Sequence, residues 1–187
     1  PSDTEVLVMR LVDRALRPMF PSDYHAGTQV MVQLMSADAE VLPDSLVGLA
    51  ASACIAVSDV PFNGPISEVR VARIDGEFII NPHRTELESA DIEMMVAGTI
   101  DSIVMVEGEM SEVSENEMVE AIEAAAKAIT AQCEAQIALA KAVGTHGVSR
   151  EYCHENHDDE LKAKVFDTLY PTMYAAAQKE KTKSDRK

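Results

Sequence analysis

Apolar and polar positions alternate along this chain with two different periods, and the changes of period mark out its elements. Ser2 followed by Glu5 makes a capping box, and Val6, Leu7, Met9, Leu11, Val12 and Leu16 form an apolar stripe, so the first element is expected to be a helix that Pro18 stops. From Thr28 to Met35 the period drops to two. Val30, Val32 and Leu34 fall on one side and Gln29, Met31 and Gln33 on the other, which predicts a half-buried strand. Pro43 and Asp44 then open a helix running to about Val57. Its Gly48, Ala50, Ala51, Ser52, Ala53 and Cys54 are small enough to pack closely on a sheet, so the helix is expected to be buried.

The turn-rich segment Asp59-Val-Pro-Phe-Asn-Gly-Pro65 leads into a strand expected at Glu68 to Ile74. Asp75-Gly76 is a two-residue hairpin signal, with a return strand at Glu77 to Asn81. Two more strands fit Ile92 to Ala97 and Ser102 to Glu107, joined by Gly98-Thr-Ile-Asp101. Ser114 and Glu117 form a second capping box. Met118, Ile122, Ala125, Ile129, Cys133, Ile137 and Ala140 continue at helical spacing up to Gly144. Past Thr145 to Arg150 the chain turns polar, and Leu161, Val165 and Leu169 mark a separate helix expected to be interrupted near Pro171. The pattern is α/β (α+β) in class: a mixed sheet packed on helices over residues 1–148, then an all-helical segment over 149–187. No internal repeat is visible.

Composition narrows the functions available. Sixteen Lys and Arg against 32 Asp and Glu leave a formal charge of −16, which excludes nucleic-acid coating through net charge but permits a local basic patch. No stretch reaches the roughly 20 apolar residues that cross a bilayer, so no membrane role is expected. Cys54, Cys133 and Cys153 are odd in number and far apart, arguing for a reducing compartment, with the cytoplasm as the default. The first residue is Pro1 rather than methionine, and the chain is expected to be a piece of something longer.

Three clusters offer chemistry. Arg10, Arg14 and Arg17 share one helical face, where their guanidiniums suit phosphates; from spacing alone, ordinary surface pairs with Asp13 and nearby acids are the favoured reading. Glu86, Glu88, Asp91 and Glu93 sit in a stretch without any basic residue between Arg84 and Lys127. They offer oxygens to magnesium, yet no calcium-loop pattern accompanies them, and a solvated acidic face is favoured. Cys153, His154, His157 and Asp158, with His146, are zinc-ligand types in one cluster where a structural site needs two separated pairs; helix-cap and surface roles are favoured. No metal ligand set is assigned. There is no nucleophile elbow, no Walker loop and no dinucleotide-binding glycine loop.

Four segments carry a family resemblance: Arg10-Leu-Val-Asp-Arg-Ala-Leu-Arg-Pro-Met-Phe-Pro21, Pro43-Asp-Ser-Leu-Val-Gly-Leu-Ala-Ala-Ser-Ala53, Val60-Pro-Phe-Asn-Gly-Pro-Ile66 and Val96-Ala-Gly-Thr99. In order and spacing, over about residues 4 to 143, they resemble the first RNase PH domain of the bacterial polynucleotide phosphorylase family. From about Ser149 the chain resembles the start of the helical domain that joins that family's two RNase PH repeats.

The resemblance implies an RNase PH-like fold (ribosomal protein S5 domain 2-like). It implies a parent nucleotidyltransferase, a homotrimeric 3′–5′ exoribonuclease that cleaves RNA with inorganic phosphate, uses magnesium, releases nucleoside diphosphates and also polymerises in reverse. Single-stranded RNA and RNA-degradation proteins are the implied partners, and mRNA catabolism the process. The active repeat's phosphate-binding serine run is replaced by Leu42-Pro-Asp44, and its two catalytic aspartates align with Thr85 and Asp91, so no catalytic residue carries over. What carries over is Arg10, Arg14 and Arg17 as RNA or phosphate contacts. The family's pore loop and leading strands are expected to precede Pro1, and the isolated chain is expected to be inactive. The alternative is a noncatalytic RNA-binding or scaffold subunit of an exosome-like ring.

Overall fold

In the computed structural model, residues 2–152 and 158–179 are described. The chain divides into two compact units, Pro1–Cys153 and His154–Lys187. In chain order the first holds α1 (Asp3–Leu16), α2 (Asp44–Ala56), β1 (Ser67–Ile74), β2 (Glu77–Ile80), β3 (Ile92–Gly98), β4 (Ile103–Met110) and α3 (Glu115–Val143), and the second holds α4 (Asp159–Ala177). Short 3-10 turns occupy Arg17–Met19 and Glu86–Ser89.

Four strands form one sheet in the order β2-β1-β3-β4. Every described pairing is antiparallel, so the class stands while the expected mixture of strand directions is absent among the described residues. β1–β2 and β3–β4 are joined by short returns, which reverse the chain, whereas β3 comes back to the other edge of β1 after β2. At the β1–β2 hairpin, Asp75 and Gly76 both take positive φ (51° and 83°), the left-handed pair that matches the twist of the strands.

Both faces of the sheet are covered. On one, Val69, Val71, Ile92, Met94 and Val96 pack against Ala121, Ala125, Ile129 and Cys133 of α3. Capping boxes at Ser2 and Ser114 start α1 and α3 as expected, and Gly144 at φ 85° ends α3. On the other face, Ile66, Met95, Ala97 and Met105 meet Val12, Ala15 and Leu16 of α1 and Ala51 and Ile55 of α2. α2 buries only one side, Ser45, Gly48, Ala51, Ser52 and Ile55. Leu46, Ala50 and Cys54 of the same helix are exposed. Ile66, just before β1, is pinned from two sides, its N–H donating to Ser52 Oγ (3.0 Å) and its carbonyl accepting from Gln136 Nε2 (2.8 Å).

Two further expectations fail. Residues 28–35 form no strand: they enter none of the sheet's pairings, and Met31 and Met35 are 82% and 85% exposed. Alternation describes a face that wants covering, but a strand also needs a ladder partner, and this segment has none among the described residues. Only Val30 reaches the core. At the other end of the chain α4 is not interrupted at Pro171 but continues through it to Ala177. The proline costs its own N–H bond, and on a helix with no buried residue water can take up the freed carbonyl. Among the described residues no helix is long and apolar enough to cross a membrane.

Candidate nucleic-acid interface

α1 places the arginines because its buried side is elsewhere. Val12, Ala15 and Leu16 face the sheet, which leaves Arg10, Arg14 and Arg17 on the exposed side. Together with Met9 and Asp13 they line one shallow hollow. Arg17 donates from Nε and Nη2 to the Asp13 carboxylate at 3.1 and 2.6 Å. Arg14 pairs with Glu107 of β4. Arg10 has no acidic partner among the described residues. The surface-pair reading is therefore realised for two of the three guanidiniums. The side chains of these pairs are 45 to 75% exposed, and such pairs contribute little to stability, so an incoming phosphate can displace them at small cost.

A second hollow, lined by Asp38, Glu40, Val41, His83, Thr85 and Glu86, is acidic and unsuited to a phosphate. Thr85, one of the two positions aligned with catalytic aspartates, donates from Oγ1 to Glu40 Oε2 at 3.0 Å. Asp91, the other, is gripped by the Arg73 fork, with Nε at 2.8 Å and Nη2 at 2.6 Å. That hydrogen bonding holds the Asp91 carboxyl below its usual range. A carboxylate committed in this way is a poor proton acceptor.

Most of the acidic stretch is exposed, as a solvated face requires, but Asp91, Glu93 and Glu117 are tied to arginines of β1. Arg73 also donates to Glu117 at 2.5 Å, and Glu117 closes the α3 capping box; the Ser114 backbone and Arg73 together push its carboxyl down to about 2. On the other side of the sheet Arg70 bridges Asp44 of α2 and Glu93 of β3. Sequence reasoning missed both hubs, whose only signal was two arginines inside an apolar strand, Val69-Arg-Val-Ala-Arg73.

The magnesium implied by the resemblance finds no cradle here. No three His, Cys, Asp or Glu side chains converge on a metal position among the described residues, and Asp91 and Glu93 already serve arginines. Of the zinc-type cluster, Cys153, His154 and His157 lie outside the described residues. Asp158 caps α4, its Oδ1 accepting from the Leu161 N–H at 2.9 Å.

Residues 64–128 match the 3′ exoribonuclease family, domain 2. The polyribonucleotide nucleotidyltransferase of Parabacteroides distasonis is 60% identical over 185 residues, which is 99% of this chain and 25% of that protein. The enzyme of that name from Porphyromonas gingivalis is 57% identical over 185 residues, again 99% and 25%. The chain spans about a quarter of the length of the polyribonucleotide nucleotidyltransferases that it matches. Christiangramia forsetii has another, 56% identical over 186 residues, covering 100% of the chain and 25% of the relative. Among solved structures, rice (Oryza sativa) Rrp46 superposes with a TM-score of 0.59 over 75% of this chain and 68% of that one. At 10% identity that likeness concerns the fold, and it agrees with the RNase PH-like architecture.

Proposed function

We propose that this chain is part of a phosphate-dependent 3′–5′ exoribonuclease, and that it serves there as the noncatalytic repeat that lines an RNA channel. In this reading residues 1–148 are a partial first RNase PH domain and 149–187 the start of a helical linker domain. The assembly is a homotrimer, and inorganic phosphate and magnesium act at a site that other parts of the protein supply. The reaction would release nucleoside diphosphates from single-stranded RNA.

The observation that carries the reading is the α1 face: three guanidiniums around one hollow, one of them without an acidic partner among the described residues, in a chain of charge −16. Cations left open against such a background are best explained by an anion they meet. The commitment of Asp91 to Arg73 supports the noncatalytic half of the reading. The test is binding of a single-stranded oligo(A) to the 187-residue chain as salt is varied. Affinity is expected to be weak and steeply salt-dependent, each lost phosphate contact removing about 0.7 from the slope of log K against log salt. Arg10→Ala should flatten the slope. A slope untouched by Arg10→Ala and by the Arg14→Ala/Arg17→Ala pair would overturn the reading.

A further inference from the structure

Residues 28–35 are the part of the first unit that its fold leaves unfinished. No backbone N–H or carbonyl of the segment has a backbone partner among the described residues. Every side chain in it is exposed except that of Val30, which holds the segment to the core at one point. From Ala26 to Ala37 there is no charged residue, in a chain of charge −16. The sheet is better guarded. Its inner strands are closed, to the point that Glu68 of β1 is wholly buried against the bare backbone of Gly48 in α2. Its outer strands carry exposed acids, Glu77 on β2 and Glu107 and Glu109 on β4, which repel another acidic edge. An uncharged, β-prone run without proline has no such protection.

We propose that residues 28–35 are a self-recognition strand: two copies of this chain pair antiparallel along the segment, about a twofold axis through Val32. The segment's own sequence picks the occupant. In that register Val30 meets Leu34 and Val32 meets Val32 on one face, while Gln29 meets Met35 and Met31 meets Gln33 on the other. A shift of one residue would set Val32 against Met31 and mix the two faces. Pairing gives the backbone groups of both copies the ladder partners they lack, and two identical segments joined in this way close at two copies. Repulsion between two chains of charge −16 opposes the contact. Because the segment itself is uncharged, salt screens that repulsion without weakening the contact. The dimer therefore tightens as salt rises, the reverse of a phosphate contact, and it stands independently of the RNA reading and of the homotrimer.

Sedimentation equilibrium of the 187-residue chain tests this, with circular dichroism as the check on folding. The unmodified chain should dimerise, with a Kd that falls about tenfold from low to high salt. Val32 is 43% exposed, so the fold does not depend on it. Val32→Lys sets like charges directly opposite each other and should leave a folded monomer, although it lowers the net negative charge. Val32→Glu should also be monomeric. Mixed in equal amounts the two variants should pair again, because opposite charges then meet at the axis. A folded monomer at both salt levels overturns the proposal. A dimer that survives both variants does so too, and moves the contact to another surface, such as the exposed side of α4. Variants that stay monomeric when mixed show that 28–35 seats some other segment, which also refutes self-pairing. Should a variant not fold, hydrogen exchange of the unmodified chain decides: the amides of 28–35 gain protection as concentration rises, and an unchanged rate rules the strand out.

Discussion

The arginines of α1 and those of β1 are the same residue type put to opposite uses. Arg70 and Arg73 sit on opposite faces of the same strand, their side chains only 12% and 13% exposed, and each closes two acids distant in sequence. Arg14 and Arg17 are 45% and 75% exposed, and each holds a single surface acid. An arginine that is nearly buried must keep its partners, because water cannot replace them; an exposed one can exchange a carboxylate for a phosphate. Burial, more than charge or spacing, separates the structural guanidiniums from those available to a ligand.

The comparison breaks most easily at Arg70. Arg70→Ala would leave Asp44 and Glu93 facing each other beside buried Glu68, and is expected to cost about 3 kcal/mol, read from the urea midpoint. A loss no larger than that of Arg17→Ala would mean that burial does not set the distinction.

Glu68 sharpens the same contrast through pH. Its carboxyl binds a proton more tightly in the folded chain than in the unfolded one, so its contribution is favourable at low pH and is lost as pH rises from the ordinary carboxylate range through about 7. Glu68→Gln should therefore gain stability relative to the unmodified chain, by up to about 3 kcal/mol above pH 7 and by little below pH 4. Equal stability of the two chains at pH 8 would refute this.

Arg73 works with the opposite sign. Asp91 and Glu117 are held below their ordinary range by its hydrogen bonds and, for Glu117, by the Ser114 backbone, so they stabilise the fold at neutral pH and that contribution is lost as pH falls through the carboxylate range toward 2. Thermal melts of Arg73→Gln between pH 6 and 3 should show a shallower acid decline than the unmodified chain. A parallel decline would place the acid sensitivity elsewhere.

The smallest expected effect on folding belongs to α1. Arg14→Ala with Arg17→Ala should leave the urea midpoint almost unmoved while lowering the RNA salt slope by up to about 1.4. A large fall in the midpoint would make these arginines structural after all.

How much of this was legible in the sequence follows the range of each interaction. The capping boxes at Ser2 and Ser114, the Asp75-Gly76 turn and the helical stripe of α3 are set by neighbours within a few residues, and all four appear as expected. The pairs of Arg70 and Arg73 span 18 to 44 residues, so no local window contains them. Residues 28–35 show the converse: their alternation is local, but the partner it demands is not. The burial of Glu68 escaped the sequence for a third reason. Polar positions in an alternating strand normally face water, and here α2 covers that face as well.

The contact between Gly48 and Glu68 also constrains how this region can change. The two positions share one volume: a methyl added at 48 collides with the carboxylate, and a side chain shortened at 68 leaves a void against a helix that has nothing with which to fill it. Gly48→Ala is harmful both alone and beside Glu68→Ala, because the Cβ that alanine keeps at 68 would still stand 2.7 Å from the new one. Only Glu68→Gly would make room, so α2 is held to its weaker helix former by the first carbon of the side chain at 68, whatever group that side chain carries at its end.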